Sequence, residues 1–212
     1  MLKVNEIFYS IQGESKFAGF PFAFVRLTGC NLRCTYCDTR YAYDEGKGMS
    51  IDSILNAVKE YKCRRIEITG GEPLLQEETV NLARKLINNQ YQVLIETNGT
   101  KNIDVLSEGV IRIMDIKCTG SGEKNKMDWE NLNRLTSRDE VKFVLASRED
   151  YNEAKQVIRE HNLIGRIAVL LSPAHGMLPI SDLAEWILDD KLDVRLQPQI
   201  HKIIWPEETR GR

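Results

Sequence analysis

Cys30, Cys34 and Cys37 lie in the run Cys30-Asn31-Leu32-Arg33-Cys34-Thr35-Tyr36-Cys37, spaced C-x3-C-x2-C with an aromatic residue just before the third. Thiolates are soft ligands suited to iron and zinc. Iron-sulfur cubanes usually take four cysteines, and structural zinc closes a tetrahedron with four ligands. A trio on one loop would ligate three irons of a cubane and leave the fourth open to a small molecule. No fourth ligand is in prospect, because Cys63 and Cys118 stand alone far along the chain and no histidine precedes His161. An open catalytic cluster explains the trio best. Disulfides fit worse: five cysteines are an odd number, and with no signal peptide the expectation is a reducing cytosol.

Other chemistry-bearing residues fall at the ends of apolar runs. Residues 22–27, 65–69, 92–96, 112–116, 140–145, 166–171 and 194–197 read as buried strands. Helical stripes lie between most of them. Ser50 is placed as a cap before Ile51, Ile54, Leu55 and Val58, and Val80, Leu82, Ala83, Leu86 and Ile87 form a second apolar stripe. Further stripes occupy residues 129–135, 151–158 and 180–188. Such alternation predicts parallel βα units with right-handed crossovers. The strands are too few for a closed eight-fold barrel, so the expected fold is α/β, an open, partial TIM-like barrel. The cysteine loop, Gly70-Gly71-Glu72-Pro73, Thr97-Asn98-Gly99 and Lys117 then follow successive strands at their carboxyl ends, where such folds build sites.

Composition narrows the function classes. A chain of 212 residues with 42% hydrophobic content is expected to form a single domain over residues 1–212. A net charge of -2 supplies no basic field for nucleic acid, and no apolar run approaches the roughly 20 residues that span a bilayer. A small-molecule or protein partner is expected, in the cytoplasm.

The C-x3-C-x2-C loop, Tyr36 and Gly70-Gly71-Glu72-Pro73 resemble the radical S-adenosylmethionine (SAM) superfamily, radical SAM for short. Tyr9-Ser10-Ile11-Gln12-Gly13-Glu14, Phe24-Val25-Arg26-Leu27, Cys37-Asp38-Thr39 and Gln199-Ile200-His201-Lys202 narrow the resemblance to the 7-carboxy-7-deazaguanine synthase family, over nearly the whole chain. The resemblance implies a [4Fe-4S] cluster on Cys30, Cys34 and Cys37, and Mg2+ on Thr39. It places SAM against Tyr36, Gly71, Glu72, Glu96, Asn98, Asp115, Ile116, Lys117, Ser172, Pro173, Ala174 and His175. Glu72 is read as an acceptor for the ligand's ammonium. Substrate falls to Ile11, Gln12, Gly13, Glu14, Arg26, Thr69 and His201. Arg26 lies inside an apolar strand, so a ligand or a buried acid must answer its guanidinium. Lys117 reads equally as a site residue or as a snorkelling surface lysine.

The implied reaction is a lyase conversion of 6-carboxy-5,6,7,8-tetrahydropterin to 7-carboxy-7-deazaguanine and ammonia by a 5'-deoxyadenosyl-radical ring contraction, feeding queuosine and other deazapurines. It calls for an external one-electron donor of flavodoxin or ferredoxin type, and the family is typically homodimeric. Two features depart from the family pattern. Ser15 follows Glu14 where glycine is usual, which restricts positive φ, and Asp115 stands where serine is common. The charged segment 206–212 is expected either to close over the site or to fray. Two other readings stay open: an activase that installs a glycyl radical on a partner protein, and a zinc-stabilised binding module without catalysis.

Overall fold

A computed structural model describes residues 1–205 and 210–211. Residues 206–209 and 212 of the charged C-terminal segment lie outside the described residues. One nine-stranded sheet runs through the described chain in the order β3-β1-β2-β4-β5-β6-β7-β8-β9. The strands are β1 (Leu2–Ile11), β2 (Pro21–Leu27), β3 (Lys47–Met49), β4 (Arg65–Gly70), β5 (Gln92–Thr97), β6 (Val110–Ile116), β7 (Glu140–Leu145), β8 (Ala168–Pro173) and β9 (Arg195–Leu196). From β2 onward every neighbouring pair is parallel, and the sheet is not closed.

The edge departs from the sequence reading. β1 and β3 are additional strands that pair antiparallel at one end of the sheet. A register shift between Val4 and Glu6 breaks the period-two pattern that would have marked β1. The stripe at residues 129–135 yields only a four-residue helix, α3 (Asn131–Arg134). There the Asn131 amide donates to the carbonyls of Gly99 and Lys101, tying the segment to the loop after β5 and ending the repeat. Arg166 precedes β8, its guanidinium bound to the Leu132 carbonyl.

Four longer helices match the stripes: α1 (Ile51–Glu60), α2 (Glu78–Asn88), α4 (Arg148–Glu160) and α5 (Ile180–Asp189). Ser50 and Ser147 cap α1 and α4 by accepting from the backbone N–H three residues on. A short α6 (Ile200–Ile204) follows β9. The four longer helices pack one face of the sheet, through Ile66, Ile68, Val93 and Ile95 in one core cluster and Met114, Ile116, Val141 and Phe143 in another. Because successive side chains alternate, the other face carries Phe24 and Arg26, Glu67 and Thr69, Leu94 and Glu96, Ile113 and Asp115, and Lys142. Phe8, Phe22, Phe24, Leu94 and Ile113 form an apolar floor there. The charged residues sit nearer the strands' carboxyl ends and surround a cavity.

Candidate active site

The cavity holds about 230 Å³ and is lined by the cysteine loop, the ends of β2 and β4–β7, the turn after β1, and α6. Its cofactor-facing wall depends on close backbone approach. Gly71 N–H donates to the Leu27 carbonyl at 3.3 Å and Glu72 N–H to the Gly29 carbonyl at 2.7 Å. A Cβ at Gly71 would collide with the Gly29 carbonyl and Cys30 Cβ, so only glycine lets the β4 turn lie against the cysteine loop.

The loop itself is held from outside. Thr35 N–H and hydroxyl donate to the carbonyls of Ser121 and Gly120 at 3.1 and 2.7 Å, Arg33 N–H to Glu123 at 2.6 Å, and the Tyr36 hydroxyl to the Val144 carbonyl at 3.0 Å. Cys30, Cys34 and Cys37 all line the cavity as free thiols. Burial pushes the Cys30 thiol up and that of Cys34 to about 11, so ionised sulfur there calls for a cationic partner such as iron. Leu32 N–H already donates to Cys30 Sγ at 3.4 Å, the bond a ligating thiolate accepts.

The spacing of the thiols favours a cluster over zinc. A tetrahedral zinc with bonds of about 2.3 Å holds its sulfurs about 3.8 Å apart. Among the described residues the loop thiols do not form a set with all ligand atoms within 4.8 Å of one another. The set that does, Cys118, Asp150 and Glu153, lies behind the loop and is already engaged: both carboxylates accept backbone N–H groups, and Glu153 also pairs with Lys124. A wide trio facing an open cavity fits a cubane.

Beyond the thiols, period-two alternation turns Asp115 and Lys117 to the cavity and Ile116 into the core beneath the helices. Lys117 is not a snorkelling lysine: its ammonium pairs with Asp115 at 2.7 Å and its side chain is 11% exposed. Asp115 lines the cavity, while its Oδ1 is buried without a hydrogen-bond partner. Asn98 donates to Asn31 at 3.1 Å and approaches Cys30 Sγ at 3.9 Å. Tyr36, Ala174 and His175 also line the cavity.

Glu72 does not. Fully buried, it accepts from Leu74 N–H at 2.9 Å, the Thr97 hydroxyl at 2.9 Å and Asn98 N–H at 2.6 Å, so its carboxylate fixes the turns after β4 and β5 rather than reading an ammonium. Burial outweighs those donors and lifts its pKa to about 7. Ser172 and Pro173 are likewise absent from the lining, Ser172 being buried with its hydroxyl unpartnered.

The opposite wall joins the two ends of the chain. Gly13 carbonyl accepts from Ile200 N–H at 3.0 Å, Gln199 donates to Glu14 at 2.7 Å, and Lys202 pairs with Asp38 beside the cysteine loop at 2.7 Å. His201 packs so closely on Gly13 that a Cβ there would collide with its ring. The turn that begins this wall takes φ +67° at Ser15, a conformation the missing glycine was expected to restrict. The Ser15 hydroxyl compensates by accepting from Phe17 N–H at 3.0 Å.

Arg26 is answered by a half-buried acid, Glu6, at 2.8 Å, with the Tyr41 hydroxyl on the same Glu6 oxygen at 3.0 Å. Its guanidinium lies 5.4 Å over the Phe8 ring and lines the cavity with Ile11, Thr39 and Thr69. Thr39 donates to Asp38 at 2.9 Å, so two hard oxygen donors stand side by side where Mg2+ was expected.

Between the walls lies a buried ion network that the sequence reading passed over. Lys142 on β7 pairs with Glu14 at 2.6 Å, with Glu96, and with its register neighbour Asp115 at 3.9 Å. Burial opposes its charge, yet these carboxylates outweigh burial and hold its pKa well above the usual lysine value. Burial also opposes ionisation of Glu14, but Lys142 and His201 draw its pKa below the ordinary value. Glu67 accepts from the Gln12 amide; burial, reinforced by Glu96, pushes its carboxyl well above the carboxylate range. Charged residues inside apolar parallel strands, Glu67 in Arg65–Gly70 and Lys142 in Glu140–Leu145, were the available signal. Asp38, Gln199 and Lys202 offered none beyond the motifs beside them.

Residues 24–160 match the family model described as the radical SAM superfamily. The chain is 44% identical to a 7-carboxy-7-deazaguanine synthase of Koribacter versatilis, over 99% of this chain and 100% of that protein. It is also 44% identical to one of Chlorobaculum tepidum, over 99% of this chain and 97% of that protein. The solved structure of QueE from Escherichia coli superposes with a TM-score of 0.77 at 22% identity, covering 94% of each chain, a likeness of fold.

Proposed function

The chain belongs to the radical SAM superfamily and, within it, to the 7-carboxy-7-deazaguanine synthases, and on that premise we propose how its residues serve this lyase reaction. The substrate is 6-carboxy-5,6,7,8-tetrahydropterin. Its conversion to 7-carboxy-7-deazaguanine releases only ammonia, so atoms and electrons balance without a net oxidant. The [4Fe-4S] cluster and SAM, when bound, supply a carbon radical that starts the ring contraction, on one electron from an external donor.

Cys30, Cys34 and Cys37 hold the cluster, with Leu32 N–H and Asn98 directed at Cys30 sulfur. Gly71 admits SAM against the loop, and the Asp115–Lys117 pair lines the cavity beside it. Thr39 and Asp38 would hold Mg2+, which would supply charge stabilisation for the substrate carboxylate, and Arg26 lines the same end of the cavity. The pterin edge, rich in N–H donors, faces the carboxylates of Glu14 and Glu96, with the Gln12–Glu67 pair beside them. Lys142 and Gln199 fix Glu14, and Thr69 donates to Glu96 at 3.0 Å, so these acceptors are oriented before substrate arrives.

The observation that carries this reading is that the cysteine loop and both ends of the chain close on one cavity, setting cofactor groups opposite substrate groups. The test is an anaerobic assay of reconstituted protein with dithionite, SAM, Mg2+ and the carboxytetrahydropterin. Deazaguanine acid formed with little net SAM loss is expected; SAM cleavage without that product overturns the substrate assignment. The same proposal reads residues 1–212 as one domain, working as a homodimer in the cytoplasm. The exposed Ile203 and Ile204 on α6 support a covered surface, which sedimentation would test. No helix among the described residues is long and apolar enough to cross a membrane.

A further inference from the structure

The cysteine loop has two sides, and the function above uses only one. Leu32 and Cys34 are buried, whereas Arg33 and Thr35, which alternate with them, are exposed. Arg33 donates to the carbonyls of Cys30 and Leu32 at 2.9 and 2.7 Å and lies 4.1 Å over the Tyr43 ring, a direct path from solvent to a cluster ligand. Three further cations gather on that side. Arg40 donates to the Thr35 carbonyl at 2.7 Å. Asn31 bonds Thr100 at 2.8 Å, which brings the exposed Lys101 to the loop, and Lys126 reaches the Asn31 carbonyl at 3.4 Å.

The acids nearby are already spent. Glu123 is taken by Lys126 at 2.9 Å and by Arg33 N–H, and Asp38 by Lys202. On the segment bound to the Lys101 carbonyl, Asp104 and Asp128 are held by Arg134, and among the described residues nearby the exposed Asp44 and Glu130 are the acids left without an ion pair. Among the described residues Arg33, Arg40 and Lys101 enter no ion pair. A local basic face on a chain of net charge -2 asks for a reason, and side-chain solvation alone does not select the outer face of a cluster loop.

We propose that Arg33, Arg40, Lys101 and Lys126 form the docking face for a small acidic electron-carrier protein. This rests on the radical SAM reading, which requires a donor. One electron leaves the reduced carrier and enters the cluster; no bond or proton moves in that step. Transfer falls off steeply with distance, so the carrier must dock where the ligand loop meets solvent. Weak redox encounters bury small areas and rely on charge complementarity for steering, which the unpaired Arg33, Arg40 and Lys101 supply beside the Lys126–Glu123 pair.

The test uses holoenzyme and an acidic flavodoxin, comparing wild type with Lys101→Glu, Arg40→Gln and, as a control at the opposite end of the strands, Lys59→Glu. Two readouts are taken: flavodoxin Kd by fluorescence anisotropy at low and high salt, and turnover driven by reduced flavodoxin or by dithionite. Expected are Kd values raised about tenfold for Lys101→Glu and severalfold for Arg40→Gln at low salt, with the difference shrinking at high salt. Flavodoxin-driven turnover should fall in step while dithionite-driven turnover of Lys101→Glu and Lys59→Glu stays at the wild-type rate. Wild-type Kd in both face variants would overturn the proposal. Loss of product with dithionite in wild type would instead overturn the function, and the binding readout would still decide the docking face.

Discussion

The two walls of the cavity are made in different ways. The cofactor wall comes from short contiguous motifs, held by backbone contacts between the loops that follow β2, β4 and β6: Gly71 against Gly29, Glu72 N–H on the Gly29 carbonyl, Thr35 on Ser121. The substrate wall joins residues almost two hundred positions apart, through Glu14 with Gln199 and Gly13 with Ile200 and His201. Its interior is electrostatic, one lysine among three carboxylates, where the cofactor wall is steric. A wall of backbone contacts tolerates no added atom; a wall of buried charge tolerates no lost one.

The sharpest break in this contrast is Cys34→Ser. It removes one cluster ligand while keeping shape, so product formation should drop to background and the iron-sulfur absorbance should fade. The urea midpoint of the apoprotein should hold within about 1 kcal/mol. Loss of fold instead would mean that the cysteine loop is structural as well.

Lys142→Met should be next in size. It strands Glu14 and Glu96 while Asp115 keeps Lys117, and removal of one partner of such a cluster costs about 3–5 kcal/mol. Urea unfolding and pterin turnover should both suffer, with Lys142→Arg recovering part of each. A Met variant as stable as wild type would show that the network does not hold the substrate wall.

A matched pair of glycines separates the walls directly. Gly71→Ala should weaken SAM binding and disturb the cluster spectrum, because the new Cβ meets the Gly29 carbonyl and Cys30. Gly13→Ala should push His201 and α6 away, raising KM for the pterin about tenfold, roughly 1.4 kcal/mol, with the cluster spectrum unchanged. Equal spectral damage in both would erase the distinction.

The smallest effect concerns pH. Burial lifts Glu72 from 4.5 to about 7. Between those values the folded state holds a proton that the unfolded state has released, so stability falls as pH rises through that window. Glu72→Gln should flatten the fall by about 1–3 kcal/mol, read from urea midpoints at pH 4.5 and 7. Parallel wild-type and variant slopes would place the titration elsewhere.

What was legible in the sequence follows the same division. The cysteine loop, the Gly-Gly-Glu-Pro turn and the seven parallel strands are local patterns: ligand spacing, a strand-end turn, runs of β-branched residues flanked by helical stripes. Local patterns survive in one dimension. The antiparallel β1 was lost to a register shift at Val4 and Glu6, and the short α3 was overread because Asn131 diverts the chain toward Gly99.

The sequence by itself determined that three thiols would gather on one loop at the strand ends, because their spacing and the parallel alternation leave few other outcomes. Tertiary structure alone decided that Glu72 braces turns instead of touching ligand, that Arg26 meets Glu6, and that Lys142 links three carboxylates from separate elements. Those assignments depend on which acids become neighbours across adjacent strands and across the two chain ends. Burial then fixes their energies, since a charge removed from water is governed by the partners within a few ångströms, and no one-dimensional pattern specifies them.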